Sequence, residues 1–133
     1  MDATMVQTTG AATGMPRIWL RLEGLAALVA GLAVYLRLGG NPWLFVPLVI
    51  AVDATIAGYA AGPRVGGRIY NLAHNWATAL AVLGAGLFLG IDALSLAGAI
   101  LVAHTGMDRL AGYGLKYPTA FADTHLGWIG RRG

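Results

Sequence analysis

The sequence predicts an all-α fold, an integral membrane four-helix bundle with both termini cytoplasmic and a short interfacial C-terminal segment. Three observations lead there. Charged residues make up 11% of the chain and hydrophobic residues 57%, whereas soluble domains carry about 25% charged residues. With 133 residues, 9 Lys/Arg and 6 Asp/Glu there is too little charge to clothe a water-exposed surface, so lipid is the simpler solvent. Long apolar stretches alternate with Gly- and Pro-rich breakers. The basic residues gather at alternate breakers.

In chain order, residues 1–16 are rich in Thr, Gly and Ala, have no apolar pattern, and are expected to form a disordered tail. No basic region precedes an apolar run there, so no cleavable signal peptide is expected. Residues 17–114 are the membrane domain. Its first span is Ile18–Leu38, closed by the breaker Gly39-Gly40-Asn41-Pro42. The second is Trp43–Ala61, followed by the loop Gly62-Pro63-Arg64-Val65-Gly66-Gly67-Arg68. The third is Ile69–Leu89, within an uncharged run that meets the length of about 18 residues a spanning helix needs. The other spans accept a charge within or at the rim. A turn near Gly90-Ile91-Asp92, with Asp92 as a candidate cap, leads into the fourth span, Ala93–Tyr113. Residues 115–133 are mixed in character and read as an interfacial helix or ordered loop. Trp43, Trp76 and Trp128 fall near the expected rims. Gly58-xxx-Gly62 and Gly86-xxx-Gly90 have the spacing that lets helices approach closely in lipid.

Orientation follows from Arg and Lys. Four spans place Arg17, Arg21, Arg64, Arg68, Arg109, Lys116, Arg131 and Arg132 on one side, with Arg37 opposite. By the positive-inside rule that side is cytoplasmic, and the location expected is the bacterial inner membrane, multi-pass. The sequence pI of about 9.7 is explained by this placement, so no nucleic-acid partner is expected. The partners expected are the lipid bilayer and either further copies of the chain or a larger membrane complex. Absence of cysteine removes disulfides, iron–sulfur clusters and Cys-ligated zinc.

Function is sought where ionisable groups lie within spans. Each costs about 2.5–3.5 kcal/mol to insert, and such groups usually face the bundle interior. Glu23 lies in the first span and Asp53 in the second. Asn71, His74, Asn75 and Thr78 share one face of the third. His104 and Asp108 lie one turn apart on the fourth, and Asp123 and His125 follow. All belong to the cytoplasmic half. His74, His104, Asp108 and His125 are the candidate metal ligands, for Zn, Mn or Fe. Asp53 is a further ligand or the acceptor that orients an imidazole. Asp53 and Asp108 are the candidate catalytic carboxylates, and Arg64, Arg109 and Lys116 the candidate substrate-binding cations. A purely structural reading stands beside this one: a His104–Asp108 hydrogen bond, Asp53 neutralising Arg64 or Arg68, and His74 among headgroups. The Gly62–Arg68 loop either holds a phosphate or is a tight turn with topological arginines. It lacks GxxxxGK[ST], which argues against a nucleotide P-loop. Tyr59, Tyr70 and Tyr113 read as rim anchors.

The stretch from His104-Thr105-Gly106-Met107-Asp108-Arg109 through Gly112-Tyr113-Gly114-Leu115-Lys116-Tyr117 to Phe121-Ala122-Asp123-Thr124-His125-Leu126-Gly127 resembles small bacterial integral membrane proteins of domain-of-unknown-function family 4260. The segment from Gly62-Pro63-Arg64 to His74 is similar to that family as well. The resemblance runs from about Ile18 to the end and implies a multi-span membrane protein without implying an activity. A looser similarity links Thr124-His125-Leu126 to membrane-bound metal-dependent hydrolases, although their usual element is Thr-His-Ser. The function expected is a metal-dependent hydrolase acting on an amphiphilic substrate. The alternatives are an accessory subunit of a membrane complex and a small transporter or proton relay.

Overall fold

The computed structural model describes residues 10–129; residues 1–9 of the expected tail lie outside them, as do Arg131 and Arg132. The elements are α1 (Gly14–Arg37), α2 (Pro42–Ala51), a 3-10 helix (Val52–Ala61), α3 (Pro63–Ala73), α4 (Trp76–Leu89) and α5 (Asp92–Ala111). A two-stranded antiparallel ribbon follows, β1 (Asp123–Thr124) and β2 (Gly127–Trp128). This is an all-α, membrane-type fold. Two helical stretches, Gly14–Arg37 and Pro42–Ala61, are long and apolar enough to cross a membrane, and the bent pair α3–α4 makes a third if it is one span.

Local chemistry sets most boundaries. Asn41 caps α2 through its side chain, which accepts from the Trp43 N–H at 2.9 Å, and Pro42 occupies the first turn, where its missing N–H costs nothing. Gly62, at φ 103, turns the chain from the 3-10 helix into α3, and Gly90, at φ 69, ends α4. Ile91 rather than Asp92 occupies the cap of α5; Asp92 lies in the first turn, where a negative charge meets the positive end of the helix.

Several boundaries differ from expectation. Helix α1 begins at Gly14, inside the predicted disordered tail, and the residues before it lie against the C-terminal segment. The Tyr117 hydroxyl donates to the Gly10 carbonyl at 2.8 Å, and the Ala12 N–H to the His125 carbonyl at 2.6 Å. The order of residues 10–16 thus comes from a partner more than a hundred positions away, which local composition cannot reveal. The Gly62–Arg68 loop is a single turning residue followed by helix. The third span is broken at His74-Asn75, where α3 and α4 meet at 42°. Asn75 is an N-cap, its side chain accepting from the Thr78 N–H at 2.8 Å, so the expected Asn71–Thr78 face does not form. The second span changes winding at Val52 into a 3-10 helix of 10 residues, far beyond the usual three or four.

Helix α5 is the axis of the molecule. It packs on α1, α4 and α2, while α3 packs on the 3-10 helix. Expected as a fourth span, it is not among the stretches apolar enough to cross a membrane, because its last turns carry His104, Asp108 and Arg109. Small residues permit the approach. A Cβ on Gly24 would lie 2.6 Å from the Gly106 carbonyl oxygen, and one on Gly31 2.7 Å from Ala103 N. The two expected GxxxG pairs divide their labour instead of forming joint faces. Gly86 packs against Ser95 and Gly58 against Ile69, whereas Gly90 and Gly62 serve as turns. The apolar core centres on Tyr35, Val49, Ala99, Ile100 and Ala103. By contrast α2 buries only Val49 and exposes Trp43, Leu44, Val46 and Ile50. That is how a helix facing lipid is expected to look.

Candidate metal centre

Four side chains from three parts of the chain meet beside α5. His104 and Asp108 come from α5, four residues apart on its buried face. His74 comes from the break between α3 and α4, and Asp53 from the start of the 3-10 helix. One ligand atom from each lies within 4.8 Å of all the others, so the group could hold a metal ion. The His74 and His104 Nε2 atoms are 3.0 Å apart. Asp53 Oδ1 is 3.1 Å from His104 Nε2 and 3.5 Å from His74 Nε2. Asp108 Oδ2 is 3.5 Å and 3.8 Å from the same two atoms. A tetrahedral ion bound at about 2.0–2.2 Å would separate its ligand atoms by about 3.3–3.6 Å, which these distances bracket.

The hydrogen bonds outside the group determine which ring nitrogens face inward. His74 Nδ1 is 2.7 Å from the Tyr70 carbonyl and His104 Nδ1 is 2.6 Å from the Val49 carbonyl. A carbonyl only accepts, so each Nδ1 carries the hydrogen. In the neutral rings both Nε2 atoms are then bare lone pairs, directed at each other and at two carboxylate oxygens. Four potential ligand atoms thus converge, with the Tyr70 hydroxyl donating to one of them, Asp108 Oδ2; such a set suits a cation or a shared proton. Oriented imidazoles whose outer N–H groups meet carbonyls are also the usual support of metal-bound histidines.

Each ligand is held. The Tyr70 hydroxyl donates to Asp108 Oδ2 at 2.6 Å, and its ring stacks on His74 with centroids 3.7 Å apart. Arg109 spans the helix break, donating to the His74 carbonyl at 2.8 Å and the Tyr113 carbonyl at 3.0 Å. His74 and His104 are fully buried, whereas the Asp53 side chain is 41% exposed. The group is therefore reached from the Asp53 side.

Compared with the sequence expectation, His74, His104 and Asp108 come together and His125 does not. Its Nδ1 accepts from the Leu115 N–H at 2.8 Å, and its carbonyl takes the Ala12 N–H, so it latches the C-terminal segment. Burial, together with the nearby Arg109 charge, pushes the His125 imidazole below its ordinary value. Neighbouring Thr124, fully buried, donates to the Gly127 carbonyl at 2.6 Å and accepts from Gly114 and Leu126 N–H groups. The Thr-His-Leu-Gly element is thus a structural turn. Asp53, expected as a further ligand or as the acceptor that orients an imidazole, stands among the potential ligand atoms. Of the candidate cations, Arg109 is buried and committed to carbonyls, while Arg64 and Lys116 line a separate cleft with Arg68 and Asn71. Glu23 is exposed, and Asp123 accepts from Thr119. Tyr70 was expected at a rim and is buried at the site. Its position four residues before His74, one helical turn, was the available signal.

The model of a family described as a domain of unknown function, DUF4260, matches residues 17–129. No curated protein and no solved structure matches the chain.

Proposed function

The chain belongs to the DUF4260 family, and from the site it carries we propose that it is a membrane-embedded, metal-dependent hydrolase of an amphiphilic substrate. The observation that carries this reading is the pair of bare Nε2 atoms 3.0 Å apart with two carboxylate oxygens around them. His74, His104 and Asp108 would hold a divalent ion, leaving a position for water beside Asp53. The mixed nitrogen and oxygen donor set suits Zn, Mn or Fe and offers nothing specific to a soft, thiolate-seeking metal. Such an ion lowers the pKa of a bound water and polarises an ester oxygen. Asp53, on the exposed side of the group, would take a proton from the attacking water as its oxygen adds to the ester centre, and would return that proton to the leaving oxygen as the ester bond breaks. Asp108, hydrogen-bonded by Tyr70, stays a carboxylate and fixes the ion's position.

The protein works in the bacterial inner membrane with the bent α3–α4 pair as one span and α5 as the fourth. This reading of topology is supported by Arg17, Arg21, Arg64, Arg68, Arg109 and Lys116 falling at alternate span ends. Substrate reaches the site from the side on which Asp53 is exposed.

Elemental analysis of the detergent-purified protein tests the proposal. Near-stoichiometric Zn, Mn or Fe is expected, lost in His104→Ala/Asp108→Ala. One alternative has its own support: a 3.0 Å separation of two imidazole nitrogens also suits a single shared proton, as in a proton relay. No metal after reconstitution with each ion would reject the hydrolase reading in favour of that relay.

A further inference from the structure

On the far side of Tyr70 from the ligand atoms lies a second polar feature of opposite sign. A cleft of about 280 Å³ is lined by Arg64, Gly67, Arg68, Asn71, Lys116 and Pro118. Its lining holds three cations and no carboxylate. Arg64, Arg68 and Asn71 lie on one face of α3, at spacings of four and three residues. Lys116 enters from the C-terminal segment and is clamped there by Asn71, which accepts from the Lys116 N–H at 2.6 Å and donates to its carbonyl at 2.8 Å.

Lys116 is the informative member. It is 5% exposed, and its ammonium lies 3.7 Å from the Phe121 ring centroid and 4.6 Å from that of Tyr70. Among the described residues neither it nor Arg64 nor Arg68 forms an ion pair; the ion pairs present are those of the His/Asp group. A lysine buried to this degree is almost always paired. The Tyr59 hydroxyl is also buried without a hydrogen-bond partner, 3.7 Å from where a Cβ on Gly67 would stand. One buried ammonium, held over two aromatic rings, and two exposed guanidinium groups thus line one small cleft. Lysine and arginine placed together in this way suit a phosphoryl group, with Arg supplying paired donors and Lys a point charge.

We propose that the Arg64–Arg68–Lys116 cleft binds the phosphate of a phosphate-bearing molecule. As an anion site it stands on its own; as the place where the hydrolase holds its substrate's headgroup it rests on the hydrolase reading. Burial pushes the Lys116 ammonium down to about 8, and an anion beside it holds the proton in place.

The test is calorimetric titration of the detergent-purified full chain, stripped of metal by a chelator so that phosphate on a metal is not counted. The probes are inorganic phosphate, and mixed micelles doped with phosphatidic acid or with diacylglycerol. Arg64→Gln and Arg68→Gln are the variants, because both side chains are exposed and the fold does not depend on them. Saturable binding of inorganic phosphate, weakened about tenfold in each variant, supports the cleft and a soluble phosphate source. Binding of phosphatidic acid alone, with no signal from diacylglycerol and the same loss in the variants, supports it with a lipid source. No binding of either phosphate probe, or binding unchanged in both variants, overturns it. Phosphate binding in a protein that takes up no metal would remove the hydrolase reading and leave the cleft.

Discussion

The two polar regions on either side of Tyr70 are opposites in sign. On one side two Nε2 atoms and two carboxylate oxygens face one another. On the other, three cations share a cleft with no carboxylate. Lys116 lies within the attraction of Asp108 and Asp53, yet among the described residues it forms no direct ion pair with either. Tyr70 stands between, its ring stacked on His74 and facing the Lys116 ammonium, its hydroxyl on Asp108. The Tyr70 ring thus separates a donor set suited to a cation from a cleft suited to an anion.

The largest effect is expected at the His/Asp group. His104→Ala is expected to remove bound metal altogether, since it deletes the atom closest to both His74 Nε2 and Asp53 Oδ1; full metal content in the variant would end the assignment. Tyr70→Phe keeps the ring and deletes the bond to Asp108. Loss of such a support lowers metal affinity about 10–100-fold, and competition with a chelating dye would read it; unaltered affinity would make Tyr70 a packing residue only.

Lys116 gives a pH test. Its folded-state value is lowered from 10.5 to about 8 by burial, so between those values the unfolded chain holds a proton that the folded chain has released. Stability should therefore rise with pH from about 8 toward 10.5. In Lys116→Met that rise should flatten in thermal melts of the detergent-solubilised protein, and an unchanged rise would show that another group is responsible. The smallest effect is expected at His125. His125→Ala should leave metal content at the wild-type level while loosening the C-terminal segment, detectable as faster amide exchange at Leu115 and Ala12. Lost metal there would restore it as a ligand.

Much of this was legible beforehand. The Gly39–Pro42 and Gly90–Asp92 turns follow from residues whose conformational preferences act locally, and the depth of His74, His104 and Asp108 follows from counting along helices. The break at His74 was not legible. An apolar run from Ile69 to Leu89 has no residue that must interrupt a helix, and it is Asn75 capping α4 and Arg109 bonding the His74 carbonyl that stabilise the interruption. Nor could spacing choose between Asp53 and His125. Asp53 stands in the first turn of the 3-10 helix, at a change of winding that no residue of the apolar second span announces. His125 loses its place because its Nδ1 is already bonded to Leu115.

The sequence by itself determined an apolar, helical, membrane-type chain and the half of it in which the costly polar groups lie, because composition and 3.6-residue periodicity act over a few turns. Tertiary structure alone decided that His74, His104, Asp108 and Asp53 converge and that Arg64, Arg68 and Lys116 stand apart from them. Convergence depends on the register and rotation of separate helices. Those are set where Gly24 meets Gly106, Gly31 meets Ala103 and Gly86 meets Ser95, contacts between positions that no local pattern relates.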